Sequence, residues 1–160
     1  MSRIEELQQE AIQLLQDLIN TPSLSSEEDQ TAAIIKQWLE KHGVSCQQQQ
    51  NNVYAINKHE DPSKPYLLLN SHHDTVLPNS GYTRDPYKAA IEDGKLYGLG
   101  SNDAGGALAC LLATFVYFYE QEDMAYNLVV AATAEEETSG DYGLNLSLIH
   151  ISEPTRRRGI

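Results

Sequence analysis

The chain has 160 residues, the length of one ordinary domain, and its 41% hydrophobic content is enough for a core, which excludes wholesale disorder. A formal net charge of −12 argues against a basic nucleic-acid footprint. No stretch approaches the ~18 consecutive apolar residues of a membrane span, the charged start Met1-Ser2-Arg3-Ile4-Glu5-Glu6 is not a signal peptide, and Cys46 and Cys110 are too few for a disulfide scaffold and read as reduced thiols in the cytoplasm.

Ile4, Leu7, Ala11, Leu14, Leu15, Leu18 and Ile19 recur at three- and four-residue spacing, which predicts an amphipathic helix over 3–20. Ser2 with Glu5 fits a capping box. Thr21-Pro22-Ser23 stops the helix, because a residue before proline avoids helical backbone angles. A second helix is expected over 27–42, capped by Ser26, with Ala32, Ile35, Trp38 and Leu39 inward and Gly43 as its stop. The period then falls to two. Residues 44–50 and 53–57 read as strands about an Asn51-Asn52 turn.

The continuous apolar run 66–70 suits a strand buried on both faces. Residues 91–97 read as a hairpin turning at Asp93-Gly94. Residues 104–121 read as a long buried helix and 127–134 as a second buried strand. Helices alternating with buried strands predict an α/β domain, a layered and mostly parallel sheet flanked by helices.

Ligands of such sheets bind outside the carboxyl ends of the strands. Three polar clusters fall there: Ser71-His72-His73-Asp74-Thr75, the stretch 98–106 with Asn102 and Asp103 among its glycines, and Glu135-Glu136-Glu137-Thr138-Ser139-Gly140. Each alone has a plainer reading, as a turn with a satisfied histidine, a glycine-rich loop and a solvated acidic loop. The second lacks the third glycine and the lysine of a phosphate loop. Three adjacent glutamates at a strand end repel one another unless cations or protons are near. Together, one imidazole and several carboxylates make a ligand set for zinc, cobalt or manganese. None of the clusters contains a cysteine, which argues against a structural thiolate site.

His72-x-Asp74-Thr75-Val76, Gly98-x-Gly100-x-x-Asp103-x-Gly105-Gly106 and Ala134-Glu135-Glu136-Glu137-Thr138-Ser139, in that order, resemble the zinc-dependent aminoacylase and carboxypeptidase family. That family includes acetylornithine deacetylase and succinyl-diaminopimelate desuccinylase. The match covers about residues 4–143, and the second and third motifs look most like the acetylornithine deacetylase branch. The resemblance implies a hydrolase that deacylates N-acyl amino acids with two divalent metal ions, zinc or cobalt. It implies His72 on the first ion, Asp103 bridging both, Glu137 on the second, Glu136 as general base and Asp74 behind His72, fixing its ring. Which glutamate takes which role depends on register; aligning Glu137-Thr138-Ser139 leaves Glu135 as an outer carboxylate. A cis peptide at Asp103–Ala104 is also implied.

Family members are longer. They carry a lid domain that mediates homodimerisation and contacts the substrate, and a final histidine ligand. Residues 1–143 therefore read as the N-terminal part of a catalytic domain, and this chain alone as inactive. Residues 144–160 form an atypical tail. Residues 1–143 hold 8 Lys+Arg against 22 Asp+Glu, yet Arg156, Arg157 and Arg158 cluster at the end. The tail resembles translated sequencing-adaptor read-through, so a frameshift or adaptor artefact is expected, which makes His150 and Glu153 decoys. A true shortened loop that offers Glu153 as a ligand is the alternative. Dipeptidase, tripeptidase or carboxypeptidase activity shares the same chemistry, and a non-catalytic α/β binding domain is the reading from another class. The expected partner is a small-molecule substrate, with neither nucleic acid nor membrane.

Overall fold

A computed structural model describes residues 1–144 and 146. The tail expectations, including His150 and Glu153, lie outside the described residues.

Helix α1 spans Arg3–Ile19. Its capping box is formed: the Ser2 hydroxyl accepts the Glu5 N–H, and the Ser2 N–H donates to Glu5 Oε2 at 2.7 Å. Helix α2 spans Asp29–Lys41 and ends before Gly43, which takes φ +75°. Strands β1 (Cys46–Gln49) and β2 (Asn52–Ile56) form a hairpin whose turn is Gln50-Asn51, one residue earlier than expected. Strand β3 is Tyr66–His72. Strands β4 (Ala90–Glu92) and β5 (Lys95–Tyr97) form a separate hairpin turning at Asp93-Gly94, both with positive φ. A wide π-type turn at Ser101–Gly105 leads into helix α3, Gly106–Phe118, and strand β6 is Asn127–Thr133.

The main sheet runs β1-β2-β6-β3. One of its faces carries Val53, Ala55, Leu128, Val130 and Ala132, which pack with Leu14 of α1, Ile35 and Leu39 of α2, and Leu108, Leu112 and Phe115 of α3. The alternate residues Val129 and Ala131 are fully buried as well. Strand β6 is thus buried on both faces, as its unbroken apolar run requires.

The α/β layering is as expected, but the sheet is mixed rather than mostly parallel among the described strands. Only β3 and β6 pair in parallel; β1–β2 and β2–β6 are antiparallel. The two-residue turn decides the first of these, since so short a link joins only antiparallel strands. A second correction concerns β3. Among the described strands it is an edge strand, with Tyr66 and Leu67 exposed at 41% and 45%, not a strand buried on both faces. A third concerns α2. Ser26 does not cap it; the helix starts at Asp29, and Ser26 sits in a left-handed turn with φ +72°. Helix α3 also begins two residues late, because Asp103 and Ala104 are non-helical.

The parallel register sets His72 opposite Thr133. The loops that follow β3 and β6 therefore leave the same edge of the sheet. Ser71 Oγ donates to the Ala104 carbonyl at 3.5 Å, which holds the π-type turn at that edge too.

Candidate metal centre

All three polar clusters meet at this edge. One ligand atom each from His72, Asp103 and Glu137 lies within 4.8 Å of the other two. His72 Nε2 is 3.2 Å from Asp103 Oδ1 and 3.7 Å from Glu136 Oε2. The histidine is buried, whereas the Asp103 and Glu136 side chains are largely open to solvent. The Asp103–Ala104 peptide is cis.

The other ring nitrogen of His72 is committed. Nδ1 lies 3.1 Å from the Asp74 carbonyl and 3.3 Å from Asp74 Oδ1, so its N–H is held there and Nε2 faces the carboxylates. With Nε2 among three acids, the imidazole is pushed up to about 9. The hydrogen bond to Asp74 contributes most; burial opposes it, and Asp103 and Glu136 add to the rise. Asp74 does more than orient the ring. Its Oδ1 accepts the Glu136 N–H at 3.1 Å, and its Oδ2 accepts the Glu137 N–H at 3.0 Å and the Ser25 hydroxyl at 2.7 Å. Burial alone would raise its pKa, but His72, Ser25 and the two amides outweigh burial and hold the carboxyl down at about 2. Burial and the neighbouring carboxylates raise Glu137, against the pull of His72. Burial is thus the first cause at Glu137 and the Asp74 hydrogen bond the first at His72, with the clustered carboxylates adding to both. This donor set, one nitrogen and several oxygens with no sulfur, fits zinc or cobalt.

The glycines of the middle cluster let the backbone close up. Gly100 takes φ +75°, and a Cβ on Gly105 would stand 2.7 Å from the Gly100 carbonyl oxygen. Beside the cluster runs a cleft of about 320 Å³, lined by Thr75, Tyr82, Ser101, Asn102, Asp103 and Glu137. Glu135 points elsewhere. Its carboxylate accepts the Ser26 hydroxyl at 3.0 Å and the Tyr142 N–H at 3.1 Å.

Sequence reasoning missed Ser25 and Glu28, which support the site from the start of α2. The signal was present in Ser25-Ser26-Glu27-Glu28, but a helix cap explained it locally.

A family model described as peptidase family M20/M25/M40 matches residues 68–158. The succinyl-diaminopimelate desuccinylase of Rickettsia rickettsii (strain Sheila Smith) is 28% identical over 153 residues, which is 88% of this chain and 39% of the relative. The M20 family metallo-carboxypeptidase of Sulfolobus solfataricus superposes with a TM-score of 0.71 at 26% identity, over 88% of this chain and 34% of that one. A dinuclear metal binding peptidase from the M20 family of Bacillus subtilis superposes with a TM-score of 0.68 at 20% identity, over 92% and 40%. The chain thus spans about two fifths of the length of this curated relative.

Proposed function

The chain belongs to peptidase family M20/M25/M40, and on that premise we propose that residues 1–143 are the N-terminal part of a dinuclear amidohydrolase domain that deacylates N-acyl amino acids. The carrying observation is the convergence of His72, Asp103 and Glu137, one ligand atom of each lying within 4.8 Å of the other two. His72 and Asp103 would hold one zinc or cobalt ion, and Asp103 and Glu137 the other. Bound ions would polarise the amide carbonyl and acidify water. His72 offers Nε2 because Asp74 holds Nδ1–H. The Asp103 side chain is 79% exposed beside His72, which leaves its carboxylate free for the bridging role that the resemblance implies. Glu136, exposed and 3.7 Å from His72, is the proton acceptor, and it returns the proton to the leaving amine.

Two family names bear on the acyl group. The motifs at 98–103 and 136–139 resemble acetylornithine deacetylase, whereas the curated relative is a desuccinylase. Both describe an amide on an amino acid, and an acetyl group is the finer reading. The carboxypeptidase name of the Sulfolobus neighbour supports peptide cleavage as the second reading. Two free thiols accord with a cytoplasmic setting, and a homodimer would form through a lid domain outside this chain.

Among the described residues each ion would find two protein ligands, where catalytic zinc normally has three. Titrating the 160-residue protein with Co²⁺ and following its visible absorption should therefore show weak binding that Asp103→Asn and His72→Ala abolish. N-acetylornithine should remain intact in its presence. Wild-type protein with no Co²⁺ spectrum would sink the metal reading. Tight binding of two ions with turnover would show instead that the chain completes its own site.

A further inference from the structure

We propose that Glu28 is a positioning residue that sets the backbone carrying Glu136 and Glu137. Glu28 precedes the first turn of α2 and is fully buried. A buried carboxylate needs partners for both oxygens. Oε1 accepts two backbone N–H groups, Ser26 at 2.8 Å and Glu135 at 3.1 Å. Oε2 accepts from Asn51 Nδ2 at 2.8 Å.

The choice of amides carries the inference. Ser26 and Glu135 are both non-glycine residues with left-handed backbone, φ +72° and +54°. Such conformations persist only where the surroundings hold them. One oxygen of Glu28 holds both, and so ties the entrance of α2 to the turn that follows β6, 107 residues away. The residue after Glu135 is Glu136. Asp74 holds the N–H groups of Glu136 and Glu137 from one side, and Glu28 holds that of Glu135 from the other. Three consecutive amides are therefore pinned by two buried carboxylates, which fixes the direction in which the two glutamate side chains leave the turn.

The anchor of Glu28 is itself anchored. The Asn51 carbonyl is 2.9 Å from His73 Nε2, and His73 Nδ1 is 2.9 Å from the Thr31 hydroxyl on α2. A carbonyl only accepts, so the His73 Nε2–H donates to Asn51, and the Thr31 hydroxyl donates to the Glu28 carbonyl at 3.1 Å.

The consequence for metal binding rests on the metal reading above, but the positioning itself does not, so the test has two arms. In the first, amide-resolved hydrogen exchange is measured on metal-free protein. Glu28→Ala should speed exchange in 135–140 by about tenfold or more relative to Ile35→Val, a core change on the same helix that lowers stability without touching the turn. In the second arm, Glu28→Ala should weaken Co²⁺ binding by about 10–100-fold while Ile35→Val leaves it unchanged.

If Glu28→Ala fails to fold, the swap decides. Glu28→Gln keeps an oxygen for the two N–H groups but turns an amide against the Asn51 amide, so it should be impaired; adding Asn51→Asp supplies an acceptor and should restore protection and Co²⁺ affinity. A double variant no better than the single, or exchange in 135–140 matching the Ile35→Val control, overturns the proposal. If wild-type protein binds no Co²⁺, the metal reading falls and the exchange arm alone still decides the role of Glu28.

Discussion

His72 and Asp74 hold each other in opposite charge states. A histidine raised from 6.5 to about 9 contributes stability that is complete below 6.5 and lost as pH rises through about 9. An aspartate lowered from 3.8 to about 2 contributes stability that is complete above 3.8 and lost as pH falls through about 2. The pair is therefore intact between those limits in metal-free protein. Denaturant titrations should show a stability loss near pH 9 that Asp74→Asn moves to lower pH, because Asp74 is the main cause of the rise. A metal ion must displace the Nε2 proton. Below pH 9, Co²⁺ affinity should then climb by up to about tenfold per pH unit, with one proton released per ion bound at His72. A flat profile between pH 6 and 8 would show that the imidazole is already free. Asp74→Asn keeps the shape but loses the charge that orients His72, and should weaken Co²⁺ binding by about 10–100-fold.

Element boundaries follow from local chemistry, and packing follows from which face each element turns inward. Phe115 on α3 is completely buried against the sheet. Phe115→Ala leaves a void there and should cost about 3–5 kcal/mol in equilibrium unfolding. Leu67 on β3 is 45% exposed, and Leu67→Ala should fall within about 0.5 kcal/mol of wild type. Equal losses at the two positions would mean that β3 is covered in solution. Both residues sit in apolar runs, so the sequence alone ranks them alike. Strand order separates them: β6 lies between β2 and β3, and β3 has one described neighbour. Ser26 illustrates the same limit. A serine before an acidic helix is a good cap by local rules, but its hydroxyl is used by Glu135, far away in the chain.

At the scale of the molecule, a groove of about 510 Å³ between α1 and α3 exposes Ile4 at 61%, Tyr117 at 48% and Phe118 at 39%. The β3 edge, unpaired among the described residues, adds Tyr66 and Leu67. Exposed apolar surface and an unpaired edge both favour association. Light scattering should show wild-type protein growing in mass with concentration, and Ile4→Lys with Tyr117→Ser should suppress that growth. A monomer at all concentrations would count against it. The sequence by itself determined the helices and strands, through their apolar periods, and singled out His72, Asp103, Glu136 and Glu137 as candidates, through three motifs of residue type and order. Those signals are local. Only the tertiary structure decided that β3 and β6 run in parallel with His72 opposite Thr133. It also decided that Asp74 holds the Glu136 and Glu137 amides, and that Glu28 holds Glu135. Register and contacts across 62 to 107 residues depend on which elements bury which faces together. No window of sequence contains both partners of such a bond.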